Sequence, residues 1–169
     1  LIDLDLARRV AERLGNLPLA VSCAAGLTLL FKSNLESVLN WLNTVGLDAL
    51  RLDYAHLPRF FARMLEERSP AVNTLFELCG VFALPRVSSA IFQTLADRLQ
   101  LHLSGLLVLS DISLINWPEG KDYFVLHPLV HEYSALRLRN APRSLEMRRG
   151  FSQYYGELAA IWRHSPNDS

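Results

Sequence analysis

Ser113-Leu-Ile-Asn-Trp-Pro-Glu-Gly-Lys-Asp-Tyr-Phe-Val-Leu126 is the stretch on which the fold turns. Elsewhere the apolar residues recur at helical intervals, but here the period shortens. Ser113 to Trp117 and Asp122 to Leu126 flank Pro118-Glu119-Gly120-Lys121. Proline followed by a polar residue and glycine is turn chemistry, because proline presets its own φ and glycine tolerates positive φ. Two short β-prone runs around such a turn predict a β-hairpin.

Working outward, the signals are helical. Upstream, Ala71 to Ala83 carries Val72, Leu75, Phe76, Cys79 and Phe82 on one face, and Pro85 breaks the run. Ser88 or Ser89 can cap a second helix reaching about Leu99, and a third covers Leu101 to Ser110. Pro128 opens another helix through about Arg139. Three helices followed by a hairpin is the order of a winged helix. Ala141-Pro142 separates this unit from a last helix, Ser144 to Trp162, with an aromatic stripe of Phe151, Tyr154, Tyr155 and Trp162.

Ser69-Pro70 marks a boundary, and four short helices are expected before it. In the first, from Asp3, Leu6, Val10 and Leu14 share one face, and Gly15-Asn16 stops it. The second starts at Pro18 and is nearly all apolar. The third has a capping-box pair in Ser33 and Glu36, an apolar face of Leu35, Val38, Leu39, Leu42 and Val45, and an end at Gly46. The fourth spans about Pro58 to Arg68. The expected fold class is therefore mostly α: a four-helix subdomain over 1–69, a winged-helix domain with a small β-hairpin over 70–140, and a C-terminal linker helix over 141–169.

Composition narrows the functions. The chain has 169 residues, of which 50% are hydrophobic and 20% charged, enough to build a core. Seventeen basic residues balance seventeen acidic ones, so a chain-wide basic footprint for nucleic acid is absent. The longest mostly apolar stretch, Leu17 to Phe31, is interrupted by Pro18, Ser22, Gly26 and Thr28, and falls short of the ~18 residues of a membrane span. Cys23 and Cys79 sit in apolar surroundings without ligand partners, as buried thiols of a reducing, cytoplasmic setting do. The chain opens on Leu1 inside helical sequence, without a visible signal peptide, and reads as a piece of something longer.

Catalytic patterns are missing: there is no nucleophile elbow, dinucleotide fingerprint, P-loop or zinc-protease motif. His127 and His131 are four apart, but no third ligand completes a metal set. Glu66-Glu67 reads as a solvated helix face, and Glu132 as a surface neighbour of His131. A winged helix raises DNA binding as an alternative. However, the helix that would enter the groove, Leu101 to Ser110, has no Lys, Arg, Asn or Gln, and base edges and phosphates need such side chains. Arg137, Arg139, Arg143, Arg148 and Arg149, against Glu146 alone, lie on later elements.

Two segments carry a resemblance. Arg13-Leu-Gly-Asn-Leu-Pro-Leu-Ala-Val-Ser-Cys-Ala-Ala-Gly26 and Phe124-Val-Leu-His-Pro-Leu-Val-His-Glu-Tyr133 together resemble the C-terminal part of the nucleotide-binding module of STAND NTPases of the NB-ARC type. Gly15-Asn16-Leu17-Pro18-Leu19 stands where the family has Gly-Leu-Pro-Leu, with Asn16 extra. Leu126-His127-Pro128 stands where it has Met-His-Asp, with proline in place of the aspartate. Leu75 to Phe82 and Leu109 to Ile115 resemble the winged-helix part between them.

The resemblance implies a cofactor, ADP or ATP, with Mg2+ in the intact protein and the P-loop upstream of Leu1. It implies that Pro18 packs on the adenine with Leu17 or Leu19 adding apolar surface, and that His127 reaches the β-phosphate. Pro18 is also an ordinary helix-starting proline, and both roles can hold together. Further implications are a switch driven by ADP/ATP exchange, an upstream nucleotide-binding domain and a downstream sensor domain in cis, and homo-oligomerisation on activation. The charge balance and the short apolar runs separately lead to the expectation of no DNA or membrane partner. The alternatives are a winged-helix transcriptional regulator and a helical interaction scaffold.

Overall fold

A computed structural model describes residues 4–30, 34–44 and 57–164. Among them the chain is mostly helical, with one two-stranded antiparallel sheet. The order is α1 (Leu4–Arg13), α2 (Pro18–Leu30), α3 (Leu35–Thr44), α4 (Leu57–Glu66), α5 (Pro70–Cys79), β1 (Arg86–Ser88), α6 (Ser89–Arg98), α7 (Ser104–Asp111), β2 (Tyr123–Val125), α8 (Pro128–Asn140) and α9 (Ser144–His164). No described helix is long and apolar enough to cross a membrane.

The start and stop chemistry read from the sequence recurs in the backbone. Gly15 and Asn16 both adopt positive φ, 62° and 55°, and the Asn16 amide donates to the Ala11 carbonyl at 2.8 Å. That is a left-handed termination, and Asn is the non-glycine residue best suited to it. Pro18 then opens α2, where its missing N–H costs nothing. Ser33 and Gly46 lie outside the described residues. The side chain before α3 that caps it is Asn34, which accepts from the Ser37 amide at 2.9 Å.

The hairpin expectation needs correction. The run 122–126 does pair, but its partner is 86–88, before α6. Arg86 faces Val125, Val87 faces Phe124 and Ser88 faces Tyr123. Of 113–117 only Asn116 pairs with β2 through the backbone, exchanging two 2.8 Å hydrogen bonds with Val125. The reason lies in how α7 ends. Ser113 has φ 59°, and the amides of Leu114 and Ile115 return to the Leu109 carbonyl. Ile112, Leu114 and Ile115 are all buried, whereas a half-buried strand would alternate. Burial of a compact turn thus overrides strand propensity. The segment Pro85 to Ser88, read as a helix break and cap, supplies the other strand.

Buried residues from Val10 to Met147 form one hydrophobic cluster. α5 packs on α8, and α7 packs on both α5 and α2. The α5–α8 contact is pinned by polar groups. Arg137 donates to Glu77 at 3.1 Å and to Asn73 at 3.4 Å, while Asn73 donates to the Leu65 carbonyl at 3.0 Å. Glu77 is buried, and its charge is matched where it stands. α5 ends at Cys79 rather than continuing to Ala83, as the amides of Gly80, Val81 and Phe82 donate three residues back, to the Glu77, Leu78 and Cys79 carbonyls. Gly80 itself abuts the α8 backbone. A Cβ there would lie 2.6 Å from the Ser134 carbonyl oxygen.

Candidate functional site

The α2–α7 contact is a backbone approach. A Cβ on Gly26 would fall 2.1 Å from the Asp111 carbonyl oxygen and 2.6 Å from the Ile112 Cα. Only a residue without a side chain lets the middle of α2 lie against the end of α7. One turn away, the buried Cys23 thiol sits 3.9 Å from the Ser113 carbonyl. Two turns back, α2 and the chain leaving α7 diverge, and a cleft of about 530 Å³ opens.

Leu19 and Ser22 of α2 form one wall. Ser110, Ser113 and Asn116 give the opposite wall its polar groups, and Leu114, Ile115, Val125 and Leu126 supply apolar surface. His127 closes the end, at the start of α8. The lining thus joins apolar surface to hydroxyl, amide and imidazole groups, and among the described residues it contains no Asp, Glu, Lys or Arg.

His127 is the N-cap of α8. Its Nδ1 accepts from the Leu129 amide at 3.3 Å, so in the neutral ring the proton sits on Nε2. The exposed ring can therefore donate from Nε2 to an acceptor placed in the cleft. The first N–H groups of α8 add the positive end of the helix dipole there. His131, one turn on, is engaged elsewhere. Its Nε2 lies 2.9 Å from the Phe82 carbonyl, and no group of three metal ligands occurs among the described residues.

The residues singled out from sequence separate. Leu19 and His127 come together in the cleft. Leu17 is half-buried against the core, and Pro18 is exposed at the first position of α2. Neither Leu17 nor Pro18 lines the cleft. Ser22, Ser110, Ser113 and Asn116 were not anticipated. Ser22 was within reach, since it follows Leu19 by three residues on one helix face. Ser113 was not, because nothing in a serine announces positive φ.

Behind this wall, burial pushes the Cys23 thiol up to about 12, and it raises Cys79 as well. Both thiols stay protonated in the folded chain at pH values where an unfolded thiol ionises, near 8.5. Above that point the folded state binds more protons than the unfolded one, so stability falls as pH rises. Urea titrations at pH 7, 9 and 10.5 are expected to give midpoints that decrease through the series. Midpoints that decrease equally in a Cys23→Ala/Cys79→Ala variant would assign the effect to other groups.

Compared with protein-family models, with curated proteins and with solved structures, the chain matches none of them.

Proposed function

We propose that this chain is the regulatory helical and winged-helix part of a STAND-type signalling ATPase of the NB-ARC kind. The observation that carries the reading is the meeting of Leu19 and His127 in one cleft. They belong to the two segments on which the family resemblance rests, and those segments lie at opposite ends of the fold's sequence. The order α5, β1, α6, α7, the Asn116 bridge and β2 supports a winged helix over 70–140. On this reading 1–69 is the helical subdomain and 141–169 leads towards a sensor domain.

The residues fit part of a nucleotide. Leu19 and the apolar wall offer surface to a base, and Pro18, outside the lining, presents an exposed rigid ring one residue before Leu19. His127 Nε2–H and the α8 start suit an anionic oxygen. Among the described residues no lining cation balances a di- or triphosphate, and on this reading an upstream P-loop lysine and Mg2+ would carry that charge. When bound, ADP supplies the phosphate oxygen that gives the latch its partner. Exchange for ATP changes that contact, and only such a difference between the two nucleotide states can move the equilibrium. Homo-oligomerisation on activation and a cytoplasmic setting belong to the same proposal.

The DNA-binding alternative finds little support in α7. Leu106 and Leu109 are in the core, and the exposed Ser104, Leu107 and Asp111 include no cation. A helical scaffold remains the rival reading, and nucleotide kinetics separate the two.

The test is ADP release from the chain joined to its upstream sequence. His127→Ala is expected to speed release by about tenfold or more, which is ~1.4 kcal/mol. His127→Asp keeps an N-cap acceptor but carries no donor, so it should release ADP at least as fast as His127→Ala while unfolding like the parent. Unchanged release in both variants would refute the latch.

A further inference from the structure

Asn116 commits its backbone and keeps its side chain free. Its amide donates to the Val125 carbonyl and its carbonyl accepts from the Val125 amide, both at 2.8 Å. Both backbone groups are thus engaged, and the polar group left to face the cleft is the side-chain carboxamide. That side chain is exposed and makes no hydrogen bond among the described residues. The hydroxyls around it behave alike. Elsewhere Thr28, Thr74, Thr94 and Ser134 turn their hydroxyls onto carbonyls of the preceding turn, the usual habit inside a helix. Ser22 and Ser110 are also helical, yet their hydroxyls make no such bond, and neither does that of Ser113. Both walls therefore offer the cleft neutral hydrogen-bonding groups that the chain itself does not use.

Position singles out Asn116 among them. The chain leaving α7 passes α2 with Ile112 at Gly26 and Ser113 at Cys23. Numbers rise along one segment as they fall along the other, which carries Asn116 towards the Leu19 end of the cleft. The Val125 bridge holds it there, so little is lost in ordering it around a ligand.

We propose that the Asn116 carboxamide selects the nucleobase, holding adenine by its N6 and N7 edge and rejecting guanine. This rests on the nucleotide reading above, which lays the base on Leu19 and the apolar wall. A ring lying there turns an edge to the polar wall opposite. A carboxamide sets a donor beside an acceptor, and adenine presents the matching pair. Its N6–H donates to Oδ1, and its N7 accepts from Nδ2–H. Guanine has acceptors at both places, O6 and N7. Whichever way the carboxamide turns, one of them faces Oδ1. Lys or Arg would satisfy both guanine acceptors, and among the described residues neither lines the cleft.

The test is equilibrium competition in the chain joined to its upstream sequence, with ADP, GDP and 7-deaza-ADP, whose ring has carbon in place of N7. The parent is expected to prefer ADP over GDP by about 5- to 150-fold, the range for a bidentate base contact. Over 7-deaza-ADP the preference should be about fivefold, as for one lost hydrogen bond. Asn116→Ala, at an exposed site, should keep the parent's circular dichroism and bind ADP and 7-deaza-ADP equally. Asn116→Asp sets an oxygen against N7 and should reverse the preference, to favour 7-deaza-ADP. A merely structural role for Asn116 would weaken all three nucleotides alike. Variants that keep the parent's ratios, or a parent that does not distinguish ADP from 7-deaza-ADP, overturn the assignment of Asn116 and leave the nucleotide reading standing. Binding of none of the three by the parent overturns both.

Discussion

Gly26→Ala is expected to lower the melting temperature by roughly 5–12 °C, although alanine is the better helix former. On propensity alone the change would stabilise α2 by ~1 kcal/mol. Against that, the new Cβ meets the Asp111 carbonyl oxygen at 2.1 Å and the Ile112 Cα at 2.6 Å, both backbone atoms that cannot turn aside. Overpacking of this kind costs about 1–3 kcal/mol and more where backbone must move. With backbone on both sides the cost is taken as about 3–4 kcal/mol, and the net loss of ~2–3 kcal/mol corresponds to the stated shift for a chain of this size. Gly150 and Gly156 of α9 are the controls, since a Cβ at either meets nothing within 4 Å. Alanine there should hold or raise the melting temperature. The measurement is thermal unfolding of the three variants beside the parent. A Gly26→Ala chain as stable as the parent would mean that α2 does not lie on α7 as described, and the cleft between them would go with it.

Phe124→Ala should cost more, about 3–5 kcal/mol. Phe124 is fully buried at the centre of β2, with its ring edge-on to Phe92 at 5.2 Å and tilted against Trp117 at 5.5 Å. It stands opposite Val87, so its loss empties the space between the sheet and α6. Urea midpoints should fall accordingly, with Phe124→Leu recovering most of the loss. Because Val125 and His127 follow within three residues, Phe124→Ala should also raise hydrogen exchange at the Leu129 amide, which His127 caps. A loss below ~1 kcal/mol would contradict the pairing of β2 with β1, which is what buries this ring.

That pairing marks where sequence reading stopped. Helix starts and stops were legible because they are local chemistry. Gly15 and Asn16 carry the left-handed backbone, Pro18 and Pro128 stand at first positions, and Ser69 accepts from the Val72 amide at 3.4 Å. The strand run 122–126 was legible from its β-prone residues, but its partner was not. Nearness in sequence favoured 113–117, and only the burial of Ile112, Leu114 and Ile115 in a compact turn removed that choice. The site divided in the same way. His127 stood out as an imidazole before a helix-starting proline, whereas Ser110, Ser113 and Asn116 are ordinary polar residues until the fold sets them opposite Leu19.

By itself, then, the sequence determined the described helices, most of their ends though not the early end of α5, and Leu19 and His127 among the residues of the cleft. These follow from side-chain periodicity and from backbone preferences that act over a few residues. Only the tertiary structure decided which strand pairs with β2, that α2 lies on α7 at Gly26, and that Leu19 and His127 share a cleft. Such contacts are between residues far apart in the chain. They are chosen by which arrangement buries the most apolar surface without stranding backbone hydrogen bonds, and no short window of sequence contains that comparison.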